Sequence, residues 1–365
     1  MDKRSAYVIL NGIRLVGPVR VAKMRQVLGS VEAILTTPAS RLAQIDGIGQ
    51  KVADTISDWQ LCFDLEKELD DAKALGLEVI HYEDDRYPVK LREIYDPPLV
   101  LYIKGDPSCL EKMSIAVVGS RHTSYYGGEV AKKLSYQMAY SGISIVSGLA
   151  RGIDTMAHQG ALAAKGSTVA VMGCSLDRIY PSENEILADK ISESGGLLIS
   201  EFALGRAPDR QTFPMRNRIV SGLSSGVLVI EAGAESGALI TAQRAMEQGR
   251  QVFAVPGRID QGYAAGCHRL IKDGAKLVEG VEDVMDEFAF LVPKEIVGIK
   301  KRAMPSDLSK DEVTILESIG DEEMELDYIT RKCGLPTAKV SSTLLRLEMK
   351  KLVQQLPGKV FVKTD

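Results

Sequence analysis

Between Ser114 and about Val278, short apolar runs alternate with helical stretches: IAVVGS, ISIVSG, TVAVMG, LLISEF, GVLVIEA, QVFAVPG and AKLV. Near-continuous Val and Ile runs of this length fit strands buried on both faces, and strands separated by helical crossovers pair in parallel. The expected fold class is α/β, an extended Rossmann-like, doubly wound, mostly parallel sheet. Ligands of such sheets bind beyond the carboxyl ends of the strands, so the residues after each run are the first candidates for a site.

The flanks read differently. Residues 1–80 are expected to form a small helical domain of SAM or helix-hairpin-helix type. Gly47-Ile48-Gly49, between two helical patterns, resembles the glycine turn with which that element presents amides to a phosphate, and a hairpin that only packs would look the same. Residues 81–113, with prolines at 88, 97 and 98, read as an irregular entry into a central domain spanning 81–290. Residues 291–308, with prolines at 293 and 305, read as a linker. From 309 to 365, three helical patterns precede a strand pair with a Pro-Gly turn, the layout of a winged helix. Such domains often read DNA, but DEEMELD puts five carboxylates at the entrance, so DNA and protein docking stand level.

With 365 residues, 45% of them hydrophobic, the chain can bury cores for two or three domains. A formal net charge of −4 argues against indiscriminate nucleic-acid binding and leaves room for a local basic groove. The five cysteines are odd in number and never form C-x-x-C, and the four histidines show no ligand spacing. Free thiols, no metal and no cofactor are expected. The chain lacks a long apolar run, and its N-terminal run is too short for a signal peptide, so a cytoplasmic protein without a membrane span is expected.

The strand ends collect a set of their own. The first run gives Gly119, Ser120 and Arg121, so an arginine stands where a G-x-G-x-x-G turn would cradle a cofactor's pyrophosphate. The second gives Ser147, Gly148 and Arg151 within SGLARGIDTMAH. After Glu201 come Arg206, Arg210, Arg216 and Arg218 against a single Asp209, with Phe213 and Asn217 among them, and the fifth run ends in EAGAESGALITAQ. Neighbouring glycine turns offer amides to an anion, guanidinium groups suit phosphate, and an aromatic ring between them offers a stacking face for a base. Taken singly, Arg216 and Arg218 fit pairing with buried acids such as Glu201 or Glu231, and Phe213 fits a core position.

An enzyme on the same sheet is the competing reading. EAGAESGAL resembles the glycine-rich turn of the nucleoside-monophosphate phosphoribohydrolases, but lacks their proline and has Ser236 where they tend to have glycine. The letters of G-x-S-x-G occur at Gly222 to Gly226, but they lead into an apolar run instead of following one, so no nucleophile elbow is read. Asp154 and His158, at i and i+4 on an expected helix, fit a cap and a satisfied histidine as well as a functional pair. No catalytic residue is assigned.

In order along the chain, VVGSRHTSYYG, VSGLARGIDTMAHQGAL, TVAVMGCSLDRIYPSEN, LLISEF, FPMRNRIVSGLS, VLVIEAGAESGALITAQRAMEQGRQVFAVPG and GCHRLIKDGAKLV resemble the DNA-processing protein A (DprA/Smf) family. The resemblance covers nearly all of the central domain. It implies a non-enzymatic single-stranded DNA-binding protein, a homodimer, that protects incoming DNA in natural transformation and helps load the RecA recombinase. It also implies that Arg121 and Arg210 contact phosphate, that Phe213 stacks on bases, and that Arg216, Asn217 and Arg218 complete the motif by touching DNA or supporting the pocket. Ser182 is uncharged where the family often carries a basic residue, which puts that side of the DNA track in doubt. Leu270, Ile271 and Leu277 are expected on the self-association surface.

Overall fold

The computed structural model describes residues 1–288, 308–319, 324–350, 352–356 and 360–363. Nine strands form one sheet: β1 (Glu78–His81), β2 (Val100–Gly105), β3 (Ser114–Val118), β4 (Ser144–Ser147), β5 (Thr168–Val171), β6 (Leu197–Ser200), β7 (Gly226–Val229), β8 (Gln251–Ala254) and β9 (Lys276–Leu277). Their spatial order is β1-β2-β6-β5-β4-β3-β7-β8-β9. From β6 to β9 all neighbours are parallel. The seven apolar runs are therefore the seven parallel strands, and β3 to β7 are buried along their whole length, as a sheet covered on both faces requires.

The segment before Ser114 is more ordered than its prolines suggest. β2 lies antiparallel to β6, with Tyr102 opposite Ser200, and β1 lies antiparallel to β2, with Val79 opposite Tyr102. Pro97 and Pro98 precede the strand without interrupting it, and Leu99 to Ile103 are all buried. The irregular entry expected there is thus corrected to a two-strand antiparallel extension.

Order reverses at β3. The chain runs outward from β3 through β4 and β5 to β6, then returns across the sheet to place β7 on the other side of β3. The crevice beyond the carboxyl ends of β3, β4 and β7 is the switch point of this fold.

Seven helices precede β1, among them Lys3–Gly12, Pro18–Leu28, Ala39–Leu42 and Gln50–Ser57. Gly47, at φ +79°, turns the chain between the last two. These helices share a core with the sheet: Tyr7, Ile9, Met24, Ile34 and Ile56 belong to the same cluster as Val100, Met172 and Leu198. Leu270, on the helix Ala265–Lys272, is buried within the chain and offers little surface for self-association; Leu277, on the outermost strand, is exposed.

The described residues up to Phe288 belong to one compact unit and those from Leu308 onward to a second. The second carries helices Lys310–Ile319, Leu326–Cys333 and Thr337–Met349 with a three-stranded sheet, a winged helix around Ile315, Ile329, Leu344 and Phe361. Expected linker residues 291–307 and the Pro357-Gly358 turn lie outside the described residues. The five cysteines are free thiols, and no described helix is long and apolar enough to cross a membrane.

Candidate nucleic-acid interface

An open cleft of about 610 Å³ occupies the switch point. Its walls come from the turn after β3 (Gly119, Ser120, Arg121), the turn after β4 (Gly148, Ala150), the turn after β7 (Gly233, Glu235, Ser236) and two helices, Thr212–Leu223 and the start of Gly237–Glu247. Asp209 starts the first of these helices by accepting hydrogen bonds from the amides of Gln211 at 2.7 Å and Thr212 at 2.9 Å. Pro214 sits in its first turn, where no intrahelical N–H is needed.

Helical periodicity then sorts the motif. Phe213, Arg216, Asn217 and Val220, spaced i, i+3, i+4 and i+7, line the cleft. Arg218, two residues from Arg216, points to the opposite side. There it grips Glu201 through both terminal nitrogens, at 2.9 and 2.6 Å, and Asp96 through Nε at 3.1 Å. Arg218 is 4% exposed and Glu201 7%. The structure does not bring Arg218 to the cleft; it ties the helix to the end of β6.

Arg216 is equally buried but only partly engaged. Its Nε donates to Asn217 Oδ1 at 3.2 Å and its Nη1 to the Val171 carbonyl, while its other N–H groups have no partner among the described residues. Burial lowers its pKa, and the nearby Asp154 carboxylate partly offsets that loss. The guanidinium packs against Gly148, where a Cβ would collide with it. Glycine stands at 148 to admit this side chain.

Several amides of the first two glycine turns are engaged within the chain. Asp154 Oδ2 accepts from Gly148 N at 3.0 Å and Ala150 N at 3.3 Å, and Ser120 N donates to the Glu231 carbonyl at 2.7 Å. Glu231 Oε2 further holds Thr123 Oγ1 at 2.7 Å and Ser124 N at 2.8 Å. Ser147 is buried, its Oγ donating to the Val117 carbonyl at 2.7 Å. Asp154 braces the β4 turn, and burial raises its pKa.

His158 is a buried neutral histidine. Thr168 Oγ1 donates to the Ile145 carbonyl and so accepts from His158 Nδ1 at 2.8 Å. Burial and the positive charge of Arg216 push its pKa down to about 3.

At the mouth, Arg121 and Arg210 are exposed and make no ion pair among the described residues. The Arg121 guanidinium lies over the Phe213 ring, 5.0 Å from its centre. The ring is half-buried against Gly173, with Tyr180 tilted at its edge, 5.7 Å away. Arg151 is drawn off: its Nε donates to Glu183 at 2.7 Å, beside the uncharged Ser182. Arg206 pairs with Asp209 at 2.6 Å. No three His, Cys, Asp or Glu side chains gather as a metal site among the described residues.

A family model described as DNA recombination-mediator protein A matches residues 78–289, one described as DprA winged helix domain matches 300–359, and a helix-hairpin-helix motif matches 8–62. Protein Smf of Escherichia coli (strain K12) is 39% identical over 283 residues, 77% of this chain and 76% of that protein. DNA processing protein DprA of Bacillus subtilis (strain 168) is 45% identical over 213 residues, 58% of this chain and 71% of its own length. The X-ray structure of DprA from Streptococcus pneumoniae matches with a TM-score of 0.67 at 38% identity, covering 77% of this chain and 97% of that one. The structure of DprA from Helicobacter pylori, described for its single-stranded DNA binding mode, matches with a TM-score of 0.54 at 28% identity, covering 60% and 97%. With the family model spanning more than half its length, and with its parallel sheet and winged helix as expected, this chain belongs to the DNA recombination-mediator protein A (DprA/Smf) family.

Proposed function

We propose that this chain is a non-enzymatic single-stranded DNA-binding protein that protects incoming strands during natural transformation and helps load the RecA recombinase onto them in the cytoplasm. The observation that carries the reading is the pairing of Arg121 with Phe213 at the mouth of the cleft, with Arg210 exposed beside them. Guanidinium groups supply phosphate contacts, and the aromatic ring supplies a face for an unpaired base. A duplex has no free base face to offer, so the same mouth discriminates between the two. The single-strand binding mode described for the Helicobacter pylori relative supports this ligand.

We further infer a homodimer through the open edge of β9, where Leu277 is exposed and Ile271 partly so. A protein that stays monomeric at micromolar concentration would sink that assignment.

The test is a fluorescence-anisotropy titration against labelled poly-T and the matching duplex across a salt series. The expected result is a strong, salt-sensitive preference for the single strand. Equal affinity for both, or release of free base from a nucleoside monophosphate, overturns the reading in favour of a nucleotide-processing enzyme. RecA loading is checked by filament nucleation on strands coated with single-strand-binding protein, which this chain should accelerate.

A further inference from the structure

We propose that the bound strand does not end in the Arg121 cleft: it crosses the first turn of the helix Thr212–Leu223 and continues into a second groove, against the N-terminal helical hairpin, where Lys23 and Arg244 hold its phosphates. This proposal rests on the single-strand reading and extends its site.

A groove of about 510 Å³ lies on the far side of that helix. Phe213, Arg216 and Asn217 face the first cleft, while Met215 and Arg218 face the second. Pro214 lines both, so the two concavities meet at one residue. A chain lying over Phe213 and leaving along Pro214 enters the second groove directly.

The chemistry of this groove suits a polyanion. Asp96 is the carboxylate in its lining, and Arg218 holds it at 3.1 Å, while Arg20 donates to the carbonyls of Leu15 and Gly47. Lys23 and Arg244 remain. Each has an acidic partner, Asp46 at 2.9 Å and Glu247 at 2.9 Å, but Asp46 is 97% exposed and the Arg244 pair is nearly half exposed on each side. Such water-exposed pairs are weak and readily give way to a phosphate. Met215, 48% exposed, adds an apolar surface beside them.

The test uses the full chain, a Lys23→Glu/Arg244→Glu double variant and a Phe213→Ala variant, titrated with oligo-dT of roughly 6 and roughly 20 nucleotides. For the double variant the expected result is unchanged affinity for the short strand, at least about tenfold weaker binding of the long one, and a salt slope shallower by about 1.4 for two lost phosphate contacts. Phe213→Ala should weaken binding of both lengths. If the double variant binds the long strand like the parent chain, the second groove is refuted while the first cleft stands. If Phe213→Ala changes neither length, the single-strand cleft itself is refuted, and the extension with it.

Discussion

The Arg121 guanidinium rests over the Phe213 ring, so the face a base would use is covered in the free protein. Stacking is worth about 1–3 kcal/mol per base, and an exposed cation–π contact about 0.5–1 kcal/mol that must be given up first. Phe213→Ala is therefore expected to weaken single-strand binding by roughly tenfold, the net of the two. Anisotropy at constant salt measures it.

Arg121→Ala uncovers the same ring while deleting the proposed phosphate contact. Its effect should be largest at low salt and shrink as salt rises, with the salt slope flattened by about 0.7. A loss of affinity independent of salt would mean that Arg121 holds the ring rather than the strand.

Arg218 predicts the opposite phenotype. Removing one partner of a buried ion pair leaves the other charge stranded, at about 3–5 kcal/mol. Arg218→Ala should lower the denaturation midpoint sharply, and Arg218→Lys should recover only part, since an ammonium cannot grip both oxygens of Glu201 and Asp96 as well. Whatever fraction remains folded should retain much of its affinity for short strands. Denaturant melts alongside titrations separate the two effects.

His158 gives the fold a pH signature. At pH values above about 6.5 the imidazole is neutral folded or unfolded, and its contribution is complete; as pH falls toward 3, the unfolded chain takes up a proton that the buried ring refuses. Stability should decline by about 1.4 kcal/mol per pH unit across the lower part of that window. Asp154, whose pKa is raised, acts in the opposite sense above its unfolded value. The measurement is the difference in unfolding free energy between the parent chain and His158→Gln from pH 7 to pH 4, which should shrink as pH falls.

Gly148→Ala should cost about 1–3 kcal/mol, because the added methyl displaces the Arg216 guanidinium from its seat. Weaker strand binding should accompany the lower stability, which a thermal melt paired with a titration would register.

The parallel strands were legible because a strand buried on both faces must be written in continuous Val and Ile. β2 was harder to read: its buried run Leu99 to Ile103 follows directly on Pro97-Pro98, and a proline pair signals a loop even when it only introduces a strand. Residue types at the site were also legible, but not their partners. Arg216 and Arg218 look equivalent in NRI-flanked text, yet two residues on a helix turn through about 200°, which sends one to the cleft and the other to Glu201. That separation was available from spacing alone. The engagement of the glycine-turn amides by Asp154 and Glu231 was not, since it depends on side chains distant in sequence closing onto one another.

Glu231 fastens the Arg121 turn on both sides, through its carbonyl to Ser120 and its carboxylate to Thr123 and Ser124. A base can then reach or leave Phe213 by rotation of the Arg121 side chain alone, a motion of picoseconds to nanoseconds rather than the opening of a loop. On the proposed binding mode, exchange of one nucleotide for the next would ask only for that side-chain rotation, so a strand would be expected to shift through the cleft without the opening of a loop.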